Sequence, residues 1–158
     1  FTSQGIPFIF CGEEMYRSKL GEKNTYNMPD KYNAIDWSLK SRYSGLVEYC
    51  KGLIALRKAH PAFSLGSAEA VREHLSFIDN ESGAAVGFVL DRLEGIDPAK
   101  RIVVLMNGSR EAVEFDIPEG SYKWLADGNA VVAQGIGEVK CDGKIEVAPI
   151  TGIILAAY

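Results

Sequence analysis

Hydrophobic and polar residues alternate along this chain in two rhythms. After Ser44, apolar residues recur at Leu46, Val47, Cys50, Leu53 and Ile54, with Leu56 and Ala59 beyond them. Steps of three and four residues line one face of a 3.6-residue helix, and a helix is expected here. Ser44 can cap its start, and Arg57 and Lys58 place cations in its last turn, where they suit the helix dipole. His60-Pro61 then stops it. From about Val71 to Tyr158 the chain is expected to be strand and turn throughout. Val113, Phe115 and Ile117 alternate with Glu114 and Asp116, the period-two signature of a half-buried strand. Apolar runs at 75–78, 85–90, 101–106, 122–125, 145–147 and 151–158 supply further strands. Between them stand turn residues, among them Asn80-Glu81-Ser82-Gly83 and Asn107-Gly108, the latter chosen because both residues tolerate positive φ. Short strands with turns at intervals predict an antiparallel sandwich.

The first part of the chain has a different texture. The run Ile6-Pro7-Phe8-Ile9-Phe10 reads as a buried strand leading into Gly12-Glu13-Glu14. A polar loop rich in Asn, Gly, Lys and Pro follows from about Arg17 to Asp36, and such long irregular loops tend to be functional. Strand, loop and helix make one βα unit, which cannot by itself bury both faces of a parallel strand. The sequence also opens at Phe1-Thr2-Ser3-Gln4 without an initiator Met, so a fragment is expected. The boundary between the textures falls around residues 61–71.

Composition narrows the classes. Of 158 residues, 47% are hydrophobic and 24% charged, an ordinary globular balance. A net charge of -4, with its 17 basic residues scattered, gives no electrostatic reason to expect nucleic acid. No apolar stretch approaches the roughly 20 residues of a membrane span. Cys11, Cys50 and Cys141 are far apart, form no CxxC pair, and read as buried free thiols. Gly135-Ile136-Gly137 lacks the third glycine and following helix of a dinucleotide motif. No cofactor and no metal are expected, and the compartment is left open.

The polar loop is the one segment dense in sugar-binding residue types: Arg17, Lys19, Glu22, Lys23, Asn24, Tyr26, Asn27, Asp30, Asn33 and Trp37. Amides and carboxylates pair with sugar hydroxyls, and aromatic rings lie against apolar sugar faces. A strand feeding such a loop at its carboxyl end has the geometry of a TIM-barrel rim. The alternative is a solvated, turn-rich loop whose Asn and Asp residues serve local backbone bonds. Glu13 and Glu14 cannot flank one glycosidic bond if they are strand neighbours pointing to opposite faces, and they read as partners of basic residues elsewhere. His60 is expected to bond carbonyls at the helix end. Trp37 reads as an anchor holding the loop down, and Trp124 and Phe115 as internal sandwich residues.

Gln4-Gly5-Ile6-Pro7-Phe8-Ile9 followed by Gly12-Glu13-Glu14 resembles the last barrel strand of the α-amylase family, glycoside hydrolase family 13. Arg17-Ser18-Lys19, then Asn24-Thr25-Tyr26-Asn27-Met28-Pro29-Asp30, then Asn33-Ala34-Ile35-Asp36-Trp37 resemble the type I pullulanases in order and spacing. The helix ending Leu56-Arg57-Lys58-Ala59-His60-Pro61-Ala62-Phe63 resembles the group's final barrel helix. The resemblance is specific over residues 4–63 and architectural afterwards. It implies residues 1–66 as the end of a (β/α)8 barrel, an α/β remnant, and 67–158 as an all-β antiparallel sandwich. It also implies a retaining glycoside hydrolase of α-1,6-glucosidic links in pullulan, starch, glycogen or limit dextrins. The family's catalytic carboxylates lie on earlier strands, and none of those motifs occurs here, so this piece is expected to be inactive alone. Its expected partners are an α-glucan and the rest of the barrel. Asn24, Tyr26, Asn27 and Asp30 are the sugar contacts the resemblance implies, with Arg17 joining them or bracing the loop. A carbohydrate-binding module, a structural accessory domain, an α-amylase or an isoamylase remain rivals.

Overall fold

In the computed structural model, which describes all 158 residues, eight strands carry the fold. They are β1 (Leu75–Ile78), β2 (Ala85–Leu90), β3 (Arg101–Asn107), β4 (Val113–Asp116), β5 (Gly120–Ala126), β6 (Gly137–Cys141), β7 (Lys144–Val147) and β8 (Thr151–Ala157). Six pair in the order β1-β2-β3-β8-β5-β6, and β4 pairs with β7 in a second sheet. Every pairing is antiparallel. The helices are α1 (Asp30–Asn33), α2 (Ser38–Arg42), α3 (Ser44–Ala59) and α4 (Ala68–His74). The chain forms two compact units, one of Phe1–Ile6 with Gly52–Tyr158 and one of Pro7–Lys51.

In the larger unit the centre of the six-stranded sheet, β3 and β8, is buried on both faces. On one face Val103 and Leu105 of β3 and Ile153 and Leu155 of β8 meet Phe115, Ile117 and Val147 beneath the small sheet. On the other, Ile102 and Val104 of β3 and Ile154 and Ala156 of β8 meet Leu56, Ala62 and Phe63, with Leu53 packed alongside. A strand buried on both faces must be apolar at consecutive positions, which is why β3 and β8 read as runs and β4 as an alternation. Gly87 of β2 is a close-approach glycine: a Cβ there would lie 2.9 Å from Leu105 Cδ2 and 3.0 Å from the Phe115 ring.

Polar bonds tie the segment after α3 to this core. His60 is buried, and its Nδ1 lies 2.8 Å from Asp97 Oδ1. Asp97 also accepts from the amides of Ala62 (3.1 Å) and Ala99 (2.9 Å). The expectation that His60 bonds helix-end carbonyls is thereby corrected; the nearby carboxylate is the stronger acceptor. Arg57 does more than complement the α3 dipole. Its guanidinium donates to the carbonyls of Phe1 (2.6 Å), Ser3 (2.8 Å) and Gly5 (2.5 Å).

Several other expectations are also corrected. Residues 6–10 form no strand, and Ile6 and Phe8 are almost fully exposed. A strand exists through its ladder, and this run has no neighbouring strand to pair with, so a barrel remnant is not evident in this region. The stretch after Val71 is not strand throughout, because α4 reaches His74, with Ser67 Oγ accepting from Ala70 N (3.1 Å) as its cap. The strand β6 lies where no apolar run marked one. Neither Asn107 nor Gly108 adopts positive φ. Asn107 is buried instead, donating through Nδ2 to the carbonyls of Glu111, Val147 and Ala148. Of the thiols, Cys141 is buried, Cys50 half-buried and Cys11 exposed. Phe115 is internal, and Trp124 packs half-buried against the same core. No helix is long and apolar enough to cross a membrane.

Candidate functional site

The candidate site lies within the Pro7–Lys51 unit, on the loop between Gly12 and α2. It begins with a one-turn 3₁₀ helix, Glu13–Met15, which buries Met15 completely. Glu14 folds back so that its Oε2 accepts from Gly12 N (2.9 Å). Glu13 and Glu14 are therefore on a helical turn and not on a strand as expected. They still offer no pair across a bond, since Glu14 is spent on its own backbone. Gly12, at φ 101°, lies against the Arg17 side chain: a Cβ there would meet Arg17 Cδ at 2.6 Å. Glycine alone combines that φ with that contact.

Arg17 acts as a clamp. Its Nη1 donates to the Cys11 carbonyl (3.0 Å), Nη2 donates to the Asn33 carbonyl, and the guanidinium stands 4.9 Å from the Phe10 ring centroid. Lys19 lies 5.4 Å from the same centroid and donates to Asn33 Oδ1 (2.7 Å). Loss of hydration and then the Arg17 charge hold the Lys19 ammonium below its ordinary pKa. Between Lys19 and Glu22 the chain reverses through a turn closed by Glu22 N to Lys19 O (3.1 Å), with Leu20 and Gly21 both at positive φ.

A second turn follows. Met28 N donates to Thr25 O (3.0 Å), which makes Tyr26 and Asn27 the two central residues of a β-turn. The Asn33 side chain closes it from below, Nδ2 donating to Thr25 O (2.6 Å) and Met28 O (2.7 Å). Tyr26 stands 83% exposed, and Asn24, Asn27 and Asp30 are exposed beside it. Asn24 Oδ1 accepts a long bond from Tyr26 N (3.5 Å). Asp30 opens α1.

The loop ends at Asp36, whose Oδ1 accepts from Ser38 N (2.9 Å) and Ser38 Oγ (2.6 Å) and starts α2. These bonds hold its carboxyl below the ordinary carboxylate value. Trp37 is 63% exposed, which corrects its reading as a buried anchor. Under the loop, Tyr16 packs edge-on against Tyr43 at 5.0 Å. The Cys50 thiol is pushed up by burial and then by the Glu14 charge.

The five expected site residues thus divide. Asn24, Tyr26, Asn27 and Asp30 come together at an exposed turn, while Arg17 is committed to main-chain carbonyls beneath them. Asn33, which the sequence placed only among the loop's polar residues, is the one whose side chain bonds both carbonyls of the turn. Its place in the loop's polar cluster was a signal, but which of several asparagines turns inward depends on the folded loop. Chemically the arrangement offers an aromatic face, two amides and a carboxylate on a braced support, a set suited to hydroxyl-rich ligands.

Residues 71–130 match the family model described as the pullulanase all-beta domain. A pullulanase of Bacillus subtilis is 36% identical over 126 residues, covering 79% of this chain and 17% of its own length. An isoamylase of a Flavobacterium species is 32% identical over 138 residues, covering 73% of this chain and 17% of its own length. Among solved structures, a pullulanase from Bacillus acidopullulyticus superposes with a TM-score of 0.88 at 33% identity, covering 98% of this chain and 19% of that one. A pullulanase from an Anoxybacillus species, complexed with maltotetraose, gives 0.86 at 32% identity and covers 99% of this chain and 22% of that one. The chain therefore spans about a fifth of the length of these relatives.

Proposed function

We propose that this chain, whose β-sheet domain is a C-terminal domain of the pullulanase-type debranching enzymes, works as part of a glycoside hydrolase that cleaves α-1,6-glucosidic branch links. The substrates are pullulan, starch, glycogen or limit dextrins, and the mechanism is the retaining two-step one of glycoside hydrolase family 13. Residues 1–66 contribute the end of the catalytic barrel, where the exposed apolar run 6–10 finds the strands it lacks here. Residues 67–158 form the buttressing β domain. The nucleophile and the acid/base are supplied by the rest of the barrel.

One observation carries the reading: similarity to solved pullulanases runs through nearly the whole chain, loop included, at about one residue in three. That the Anoxybacillus enzyme is complexed with maltotetraose supports an α-glucan ligand for this chain. Asn24, Tyr26, Asn27 and Asp30 contact the glucan, and Arg17 holds the wall from which they project. The matched isoamylase makes cleavage of amylopectin branches without cleavage of pullulan the second reading.

Maltotriose release from pullulan separates these readings. It should be measured on this 158-residue chain and on the protein that joins it to the remaining barrel. Release by the longer protein alone is expected. Failure of the longer protein on pullulan, with debranching of amylopectin, would move the assignment to the isoamylase type. Failure on both would end it.

A further inference from the structure

The geometry points to Asn33 as the positioning residue of the glucan loop: its carboxamide pins the Thr25–Met28 turn so that Tyr26 and Asn27 face outward. This rests on the glucan reading above and names the residue that makes the loop competent. The primary amide has two N–H donors and one carbonyl acceptor, and the structure uses all three. The donors take both carbonyls that bracket the turn, Thr25 at 2.6 Å and Met28 at 2.7 Å, and Lys19 Nζ donates to the Oδ1 at 2.7 Å. The main-chain carbonyl of Asn33 accepts from Arg17. Tyr26 and Asn27, the residues at the tip, take part in none of these bonds through their side chains. Order at the tip is therefore supplied from below, and the tip side chains stay free for a ligand.

A ring that lies against a sugar binds best when its orientation is set before the ligand arrives, because ordering it on binding costs affinity. Asn33 touches no reacting atom in this arrangement, so its loss should fall on binding and spare the chemical step. Asn33→Asp is the informative variant. It keeps the size and the Lys19 contact but replaces the nitrogen that carries both donors with one acceptor oxygen, set against the two carbonyl oxygens.

The test uses the full-length protein, with steady-state pullulan hydrolysis, the Kd for maltotetraose and the melting temperature read on each variant. Asn33→Asp and Asn33→Ala are expected to raise KM and Kd by about fivefold or more, with kcat within about twofold and melting unchanged. On a Tyr26→Ala, Asn27→Ala background, Asn33→Asp should change Kd by less than about twofold, since groups acting through one another are not additive. Unchanged KM and Kd in Asn33→Asp would overturn the inference. So would an effect undiminished on the double-variant background, or a loss of kcat accompanied by early melting, which assigns Asn33 to general folding. Maltotetraose binding decides the point even for a protein that leaves pullulan intact, and that result would count against the debranching reading alone. A wild-type protein that neither cleaves pullulan nor binds maltotetraose would overturn both.

Discussion

In the unit of Phe1–Ile6 and Gly52–Tyr158, order comes from apolar side chains meeting across strands. In the unit of Pro7–Lys51 it comes largely from polar side chains meeting main-chain carbonyls. The first buries more than twenty apolar residues in two layers; in the second, Met15 and Val47 are the buried apolar side chains. Burial of a core is non-directional and tolerates many sequences of similar volume, whereas each carbonyl in the loop needs a donor at one place. The loop is thus held by few, specific bonds, and its exposed side chains are left to do something else. The contrast teaches that in this chain the stabilising residues and the exposed loop residues proposed to face a glucan are largely separate sets.

The contrast is best attacked where it should be strongest. Phe115→Ala empties a site between the two sheets and should cost about 3–5 kcal/mol in denaturant unfolding of the chain. A loss below about 1 kcal/mol would mean that this core is less decisive than its burial implies. Next is Asp97→Ala, which strips acceptors from His60 Nδ1 and from the amides of Ala62 and Ala99, all in a buried setting. Leaving such donors unmet should cost roughly 2–3 kcal/mol, read in the same experiment.

Acid gives a smaller effect. Burial pushes the Asp91 carboxyl up, but the bonds from Arg101 Nη2 and Arg92 N and the charges of both arginines outweigh it. The folded pKa therefore lies below the ordinary 3.8. The resulting stability is fully present above 3.8 and is lost as pH falls through the folded value. Asp91→Asn should flatten the pH dependence below about 4 relative to wild type, and an unchanged acid slope would count against it. Smallest of all is Tyr26→Ala. It should leave the unfolding midpoint of the chain within about 0.5 kcal/mol of wild type while weakening maltotetraose binding in the full-length protein. A clear loss of stability would erase the proposed separation.

Local rules, applied to the letters alone, located much of this molecule. The helix from Ser44 to Ala59 followed from its three- and four-residue spacing, and seven of the eight strands overlap apolar runs or alternations near their positions. Strand β6 escaped because its period-two signal is short, Val139 and Cys141 alternating with Glu138 and Lys140; it is an edge strand held by its ladder to β5. Asn107-Gly108 misled because the same asparagine that favours a turn can be buried by an outer strand and used as a three-way donor.

What the sequence determined by itself is what depends on neighbours in the chain: the α3 period and the strand alternation. What the tertiary structure alone decided depends on residues far apart meeting. The run Ile6-Pro7-Phe8-Ile9-Phe10 is strand-like by composition, yet without a partner to receive its hydrogen bonds it forms no strand and stays exposed. His60 found Asp97, 37 positions away, and Arg57 found three carbonyls among the first five residues. Several asparagines crowd the polar loop, and only its folded path turned one of them, Asn33, inward to the two carbonyls that shape the turn.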